Sequence, residues 1–349
     1  MTEVLFAIPG DIATPTGGYI YDREVLQRLP GLGIDARHLR LPASYPHPSP
    51  VDLAETSRLF AAAPASAILL IDGLALGTMP PLILGNVHQP IVALVHHPLG
   101  YETGLETSRA RELFALERLS LRYATHVIVT SRSTARLLNL EFSVPAAKIA
   151  IAEPGTDRAV RATGTRKPLS ILAVGAISPR KGYQILIEAL TPLRSLDWRM
   201  TIAGATDRDP AAVSALREAI LRGGLAARVE LTGSLGKADL ARAYAAADLF
   251  VLPSLFEGYG MALAEAMARG LPIVCTTGGA AAETVAGGAA LKVAPGQTDP
   301  LREALQRMLT DAGLRRRLGD ASWEAGQRLP AWDDTARRVA GVLKEVATR

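Results

Sequence analysis

The sequence has 349 residues, of which 48% are hydrophobic and 21% are charged, with one cysteine and a net charge of +4. This composition excludes a disordered chain and a disulfide-stapled secreted domain, and the length favours two domains over a single core. Because no apolar run approaches the ~20 residues that span a bilayer, and the N-terminus lacks the basic and apolar segments of a signal peptide, we expect a cytoplasmic protein.

Short apolar runs alternate with amphipathic segments along nearly the whole chain. Each run is only four to seven residues long and lacks polar alternation, which is typical of parallel strands buried on both faces. Helical patterns lie between the runs, for example at 108–124 and 237–247. The alternation predicts an α/β protein with doubly wound parallel sheets. The predicted strands are 4–8, 67–71, 91–95, 126–130, 169–175, 198–204, 228–233, 248–253 and 272–275.

A break in this alternation marks the predicted domain boundary. The segment 153–168 is rich in Gly, Thr, Arg and Pro and poor in apolar periodicity, so we interpret it as an interdomain linker. We predict Rossmann-like domains at 1–157 and 165–328, and an amphipathic helix in 331–349 that could belong to either domain. Ligands of such sheets bind beyond the carboxyl ends of the strands, so we expect the site in a cleft where two such edges face each other.

In the first half, two features follow predicted strands. Gly17 and Gly18 stand where a helix begins near Tyr19, and bare N–H groups together with the helix dipole favour an anion there. His96 and His97 directly follow the run 91–95, where an imidazole can donate to a sugar or a phosphate. A flexible loop and structural histidines are the alternatives. The G-x-G-x-x-G fingerprint of NAD(P) enzymes and the usual spacings of metal ligands are both missing.

In the second half, Arg180 and Lys181 stand directly before Gly182 and a helical pattern. Cations at a helix N-terminus oppose the dipole at a cost of roughly 0.3–1 kcal/mol each. A bound phosphate would offset that cost, since the N–H groups and both side chains would attract it. Two solvated cations are the alternative.

The stretch "EGYGMALAE" at 257–265 follows the strand 248–253 and holds two glutamates eight positions apart. A carboxylate accepts hydrogen bonds from vicinal hydroxyls, and Gly258 and Gly260 allow the backbone to approach a ligand closely. Glu257 at the strand exit and Glu265 inside the next helix would suit a molecule with hydroxyls at both ends and phosphates between. A nucleotide sugar is such a molecule. Ordinary surface or capping glutamates are the alternative.

Charge distribution bears on the partners of the protein. Residues 1–158 carry a net charge of −2 and residues 159–349 a net charge of +6, which suits a polyanionic ligand or simply a solvated surface. No arginine-rich tract is interleaved with aromatic residues, so nucleic acid is not an expected partner. The helix at 108–124 mixes arginines with leucines that the sheet needs for cover. We therefore predict at most a weak peripheral membrane contact.

With these motifs the sequence resembles the retaining GT-B glycosyltransferases of family four. "EGYGMALAE" matches the E-x7-E motif of that family with high specificity. The motifs "PTGGY", "EPGTD", "PRKG", "ADLFVLPSLFEGYG" and "GLPIVCTTGG" follow in the order found in the family. The resemblance covers nearly the whole chain and implies two Rossmann-like domains that face each other across a cleft.

The resemblance also implies a role for each matched residue. Gly17 and Gly18 would hold the diphosphate or donor sugar through backbone N–H groups, and His96 would contact the donor sugar near the reacting carbon. Arg180 and Lys181 would neutralise the departing diphosphate, Glu257 would bind sugar hydroxyls and Glu265 would bind the ribose. The implied catalytic residues are His96 and Glu257. The implied donor-binding residues are Gly17, Gly18, Arg180, Lys181, Glu257, Gly258, Tyr259, Gly260, Met261 and Glu265.

One position departs from the family pattern. Family members often carry an arginine directly after the glycine that ends the first strand of the second domain, whereas this sequence has Ala176. Either Arg180 substitutes for it or phosphate binding rests mainly on Lys181. The resemblance implies sugar transfer with retention, without a metal or other cofactor, to an unidentified glycan, lipid or small molecule. A sugar phosphorylase, a sugar-nucleotide epimerase and a non-catalytic binding protein are the alternatives.

Overall fold

The computed structural model describes residues 2–164 and 167–348. The chain divides into two units, unit 1 formed by Met1–Gly155 with Pro330–Arg349 and unit 2 formed by Thr156–Leu329. The predicted second domain begins at residue 165, and residues 165 and 166 lie outside the described residues. The C-terminal segment, which the sequence left open between the two domains, belongs to unit 1.

Strands and helices alternate through both units. The strands are Thr2–Pro9 (β1), Ile34–Leu41 (β2), Ile68–Asp72 (β3), Ile91–Val95 (β4), His126–Val129 (β5), Ile149–Ile151 (β6), Leu169–Val174 (β7), Trp198–Ala203 (β8), Val229–Gly233 (β9), Leu249–Leu252 (β10), Ile273–Thr276 (β11) and Ala290–Val293 (β12). The α-helices are Gly17–Arg28 (α1), Pro50–Ala61 (α2), Gly73–Leu76 (α3), Pro81–Leu84 (α4), Thr107–Ser120 (α5), Arg132–Leu140 (α6), Tyr183–Leu190 (α7), Pro210–Arg222 (α8), Lys237–Ala246 (α9), Met261–Met267 (α10), Ala281–Thr284 (α11), Thr298–Thr310 (α12), Ala312–Gly326 (α13) and Trp332–Ala347 (α14). Short 3-10 turns are formed by Pro30–Leu32, Leu99–Tyr101, Leu121–Tyr123, Ala146–Lys148, Pro179–Lys181 and Thr191–Leu193.

Each unit contains a six-stranded sheet, in the order β2-β1-β3-β4-β5-β6 in unit 1 and β12-β11-β10-β7-β8-β9 in unit 2. The described strand pairs are parallel. Strands β3, β4, β5, β10 and β11 are buried at every position, which explains their unbroken apolar sequences. The predicted α/β fold with two doubly wound parallel sheets is confirmed.

Three strands were not predicted from the sequence, and all three lie at sheet edges. Strand β2 at one edge of unit 1 reads "IDARHLRL" and is buried only at its two ends. Strand β6 at the other edge is half-buried throughout, and β12 is buried only at its first residue. An edge strand faces solvent along one side, so its sequence need not be continuously apolar.

Two helices of unit 1 resolve questions left by the sequence. Leu113 of α5 and Leu121 just beyond it are buried, as the packing interpretation predicts, whereas Leu119 is 40% exposed. Helix α14 packs within unit 1, where the rings of Trp332 and Tyr21 meet edge to face with centroids 5.9 Å apart. None of the helices in the described residues combines the length and apolar character that a membrane crossing requires.

Candidate functional site

In unit 1 the start of α1 lies directly against His96. The side chain of Thr16 caps this helix by accepting a hydrogen bond from the Tyr19 N–H. A Cβ atom placed on Gly18 would lie 3.2 Å from Cδ2 of His96 and 3.4 Å from its Nε2 atom. Any side chain at position 18 would therefore crowd the imidazole. The structure thus brings together Gly18 and His96, two residues that the sequence analysis proposed for the same ligand.

Two buried carboxylates surround the imidazole of His96. Its Nε2 atom lies 3.1 Å from Oδ1 of Asp22 and 3.4 Å from Oδ2 of Asp72. Burial alone would lower the pKa of His96, but Asp22 and then Asp72 outweigh it and raise the pKa to about 10. Burial raises the pKa of Asp22 to about 7, although His96 acts in the opposite direction. His97 has a different environment, with Nε2 3.1 Å from Oε2 of Glu102.

In unit 2 the two cations of the motif "PRKG" converge on Glu257. Residues Pro179–Lys181 form a 3-10 turn, and Gly182, with a φ of 65°, directly precedes α7. Nζ of Lys181 donates to Oε1 of Glu257 at 2.6 Å, and Nη1 of Arg180 lies 3.6 Å from the same oxygen. Arg180 also donates to the Phe256 carbonyl at 2.9 Å. The loops after β7 and β10 are thereby joined.

The sequence analysis proposed Glu257 for the hydroxyls of a ligand, and Arg180 and Lys181 for a phosphate. In the structure the Glu257 side chain is 7% exposed, and its carboxylate offsets the charge of both cations. Burial alone would raise the pKa of Glu257, but the charges of Lys181 and then Arg180 outweigh it and hold the pKa at about 2. The side chain is therefore ionised at neutral pH.

Lys181 reaches this position across the end of β7. A Cβ atom on Gly175 would lie 2.9 Å from Cε of Lys181, so the lysine stem passes close over that glycine. The hydroxyl of Tyr183 donates to the Gly175 carbonyl at 3.0 Å and fixes the same backbone. Next to Gly175 is Ala176, the position without the family's arginine. In this chain, Arg180 and Lys181 of the following turn supply the positive charge at the end of β7.

Glycines brace the segment that carries Glu257. The Glu257 N–H donates to the Gly278 carbonyl at 3.2 Å, and the Ala280 N–H donates to the Glu257 carbonyl at 2.8 Å. A Cβ atom on Gly278 or Gly279 would overlap the backbone of residues 255–257. The motif "TTGG" therefore supports this segment, a role that the sequence analysis did not assign.

The rest of the E-x7-E segment turns into α10. Gly258 and Tyr259 are followed by Gly260, which has a φ of 92°. Met261, the next residue, is the first residue of the helix. Positive φ favours glycine because it lacks a Cβ atom. The side chain of Thr284 donates to the Tyr259 carbonyl at 2.6 Å. These contacts fix the backbone between the two glutamates.

Glu265 has partners separate from those of Glu257. Its Oε2 atom accepts a hydrogen bond from the buried Tyr244 hydroxyl at 2.8 Å. The guanidinium of Arg269 lies over the Tyr244 ring, 4.4 Å from its centroid, and Nη1 of Arg269 donates to the Glu265 carbonyl. Burial raises the pKa of Glu265, with Tyr244 and Arg269 acting in the opposite direction. Tyr244 and Arg269 were missed by the sequence analysis.

Some of the missed residues carried a sequence signal. Asp22 lies four positions after Gly18, and residues at that spacing share one face of a helix. Asp72 ends β3, which pairs with β4 and therefore reaches the same sheet edge as His96. Tyr244 precedes β10 in a helix whose pattern gave no sign of a polar partner.

Comparison with known proteins identifies the family of the chain. The family model described as "Glycosyl transferase 4-like domain" matches residues 8–155, and the one described as "Glycosyl transferases group 1" matches residues 168–311. The chain is 26% identical to an MMP α-(1→4)-mannosyltransferase of Mycolicibacterium hassiacum, over 88% of this chain and 77% of that enzyme. It is 34% identical to the lipopolysaccharide core biosynthesis mannosyltransferase LpsB of Rhizobium meliloti, over 49% of this chain and 50% of that enzyme.

Solved structures show the same fold. Sucrose-phosphate synthase from Thermosynechococcus elongatus matches with a TM-score of 0.84 at 20% identity, over 99% of both chains. HepE of Anabaena in complex with UDP-glucose matches with a TM-score of 0.74 at 18% identity, over 100% of this chain and 99% of that chain. The two family models, the curated relatives and these folds agree. The chain therefore belongs to the family-four glycosyltransferases and has their GT-B fold.

Proposed function

We propose that the protein transfers a hexosyl group from a nucleoside-diphosphate sugar to an acceptor hydroxyl, with retention at the anomeric carbon. The observation that carries this proposal is the convergence of Arg180 and Lys181 on the buried Glu257, at the carboxyl ends of β7 and β10. Two cations suit a departing diphosphate, and an ionised carboxylate suits sugar hydroxyls. The relatives named as mannosyltransferases, and HepE with its bound UDP-glucose, support the same donor class.

The ion pair suggests how the donor would enter. An incoming diphosphate competes with Glu257 for Lys181, because both are anions. A carboxylate that gives up the lysine then accepts hydrogen bonds from sugar hydroxyls in its place. Glu257 is ionised in the intact pair, where Lys181 and Arg180 hold its pKa at about 2, so it enters this exchange as a carboxylate. Glu265, held by Tyr244, is the candidate for the ribose hydroxyls.

The proposed chemical step uses no protein nucleophile. The bond between the anomeric carbon and the diphosphate oxygen breaks, and a bond to the acceptor oxygen forms on the same face of the sugar. The acceptor hydroxyl loses its proton to the leaving diphosphate. Arg180 and Lys181 stabilise the negative charge that develops on that diphosphate, which is a common way for an enzyme to lower such a barrier.

The test is a donor panel with product analysis. Uridine, guanosine and adenosine diphosphate sugars are screened for thermal stabilisation, since a ligand at 100 times its Kd adds about 2.7 kcal/mol to stability. Donors that bind are then incubated with glycan, lipid and small-molecule acceptors. Release of nucleoside diphosphate and an α-linked product from an α-linked donor, identified by NMR, are the expected results.

Other outcomes would identify the alternatives. Turnover that requires inorganic phosphate indicates a phosphorylase, and isomerisation of the sugar indicates an epimerase. Thermal stabilisation without release of diphosphate on any acceptor indicates a binding protein. Inversion at the anomeric carbon would contradict the proposed stereochemistry. Arg222→Ala is a suitable control variant, because Arg222 is an exposed partner of Glu218 on α8, outside the cluster.

A further inference from the structure

The cluster around His96 contains more charge than a ligand-contacting histidine needs. Asp22 and Asp72 are 0% and 1% exposed, and both face Nε2 of His96. Burying a carboxylate costs several kcal/mol unless an opposite charge compensates it. Among the described residues, Oδ2 of Asp22 has no hydrogen-bond partner. The imidazole of His96 lies within hydrogen-bond distance of both acids and can supply a compensating positive charge.

We infer that Asp22 and Asp72 are positioning residues that hold His96 as an imidazolium, so that His96 serves the donor as a hydrogen-bond donor and positive charge and not as a general base. This inference rests on the proposed function, because it specifies what one residue of that site does. It assigns roles to two acids that are not part of the family motifs found in the sequence.

The groups around His96 are themselves fixed in place. Asp72 is fixed because its Oδ1 atom accepts the Leu74 N–H at 2.6 Å. The ring of Tyr21 meets the imidazole edge to face, with centroids 5.2 Å apart. The backbone carbonyl of His96 accepts a hydrogen bond from Thr130 of β5 at 3.0 Å. Of the described side chains against the ring, the titratable ones are Asp22 and Tyr21 from α1 and Asp72 from β3.

The orientation of the ring suggests which atom serves the ligand. The carboxylates engage Nε2, and an imidazolium carries a proton on both ring nitrogens. The His96 side chain is 22% exposed, whereas the acids are buried. The second N–H, on Nδ1, is then a donor for an oxygen of the sugar or diphosphate. A ring without a lone pair cannot remove a proton from the acceptor, in agreement with proton loss to the leaving diphosphate.

A bound divalent cation is the competing arrangement. One oxygen or nitrogen atom from each of Asp22, Asp72 and His96 lies within 4.8 Å of the others in the described residues. A cation there would need the neutral imidazole, because a protonated nitrogen cannot coordinate it. The two arrangements therefore predict opposite protonation states for His96, and the same experiment separates them.

The first measurement is an NMR titration of the protein with 15N-labelled histidine, after treatment with EDTA. The protein has six histidines, and the signal that disappears in His96→Gln is assigned to His96. We expect His96 to stay protonated up to pH 9 in the wild-type protein. In Asp22→Asn/Asp72→Asn we expect the titration midpoint of His96 to fall to about 7 or below, close to the usual pKa of a histidine. A wild-type midpoint below 7, or His96 signals that shift when Zn²⁺ or Mn²⁺ is added at stoichiometric concentration, would overturn the inference.

The second measurement follows activity against pH. For Asp22→Asn/Asp72→Asn we expect the ratio of its kcat/KM to that of the wild type to fall by roughly tenfold or more between pH 6.5 and 8.5, as the imidazolium is lost. Asp35→Asn, on an exposed acid of β2 paired with Arg37, should show a constant ratio. A constant ratio in Asp22→Asn/Asp72→Asn as well would contradict the inference. The NMR titration needs no substrate, so failure of the proposed transfer reaction and failure of this inference give different results.

Discussion

Replacing Lys181 by methionine should affect stability and donor binding in separable ways. Methionine keeps most of the aliphatic stem that passes over Gly175 and removes only the charge that Glu257 faces at 2.6 Å. The Lys181 and Glu257 side chains are 12% and 7% exposed, so solvent cannot replace the lost partner. We expect the variant to leave a buried carboxylate whose nearest remaining cation, among the described residues, is Arg180 at 3.6 Å.

The size of the effect follows from the cost of an uncompensated buried charge. Removing one partner of a buried ion pair typically costs about 3–5 kcal/mol. Because the Arg180 guanidinium remains, we expect the free energy of unfolding to fall by ~3 kcal/mol at pH 7, the lower end of that range. The pKa of Glu257, about 2 in the intact pair, rises in the variant. In the wild type, this lowered pKa contributes stability above about pH 4.5 that is lost as the pH falls through about 2. The variant should lose that acid dependence.

Urea unfolding and calorimetry measure the two consequences. Lys181→Met/Glu257→Gln should regain most of the lost stability, because no unpaired charge stays buried, yet both variants should bind nucleoside diphosphates much more weakly than the wild type. Lys237→Met is the control for stability, since Lys237 and Asp157 form a highly exposed ion pair that should matter little. Wild-type affinity for donor and diphosphate in Lys181→Met would refute the assignment of this lysine to the diphosphate.

Three further predictions concern other parts of the chain. Glu265→Gln should weaken binding of the bare nucleoside diphosphate and of the donor alike, whereas Glu257→Gln should mainly reduce sugar-dependent turnover; calorimetry that gives the opposite pattern would exchange their roles. Burial raises the pKa of Glu117 to about 8, so the wild type should lose stability as the pH rises from about 4.5 through 8. Between these pH values the free energy of unfolding of Glu117→Gln, measured in urea, should fall by on the order of 4 kcal/mol less than that of the wild type. An equal pH dependence of the two unfolding free energies would show that Glu117 does not titrate in this range. Sedimentation with anionic liposomes should give weak, salt-sensitive attachment, because α5 buries Leu113; tight binding at moderate salt would contradict this.

The sequence predicted the inner strands of both sheets better than their edges. Strands such as β4 and β10 are buried on both faces and are therefore apolar at every position, a pattern that local sequence reveals. Strand β2 alternates polar and apolar residues because it lies at the edge of its sheet. Its assignment depends on pairing with β1, which is a tertiary property that a short window of sequence does not contain.

Some features of the candidate site could likewise be predicted from the sequence, and others could not. Residues in the segments just beyond strands, such as His96 after β4 and Lys181 after β7, could be proposed from sequence because the carboxyl edge of a parallel sheet is the usual place for ligands. Their pairing with specific carboxylates could not be predicted from the sequence, because Glu257 lies 76 positions from Lys181 and Asp22 lies 74 positions from His96. These pairs form because the sheet order brings distant loops to one edge. The family motif supplied Glu257 and Glu265, but it did not indicate that Glu257 would be paired with Lys181.

Each charged cluster is compensated by groups of its own unit, and this bears on how each cluster would act. In each, a protein group of opposite charge offsets the cost of burial: Glu257 for Lys181, and Asp22 with Asp72 for His96. Groups held in this way need little reorganisation when charge develops nearby, which is the condition for effective electrostatic catalysis. The two clusters differ in one respect. A diphosphate can displace Glu257 from Lys181 because both bind as anions, whereas a ligand at His96 can use the second ring nitrogen while the carboxylates stay in place. Substitutions of the cations in the first cluster should therefore act mainly on donor affinity, and substitutions of the acids in the second mainly on the pH range of turnover.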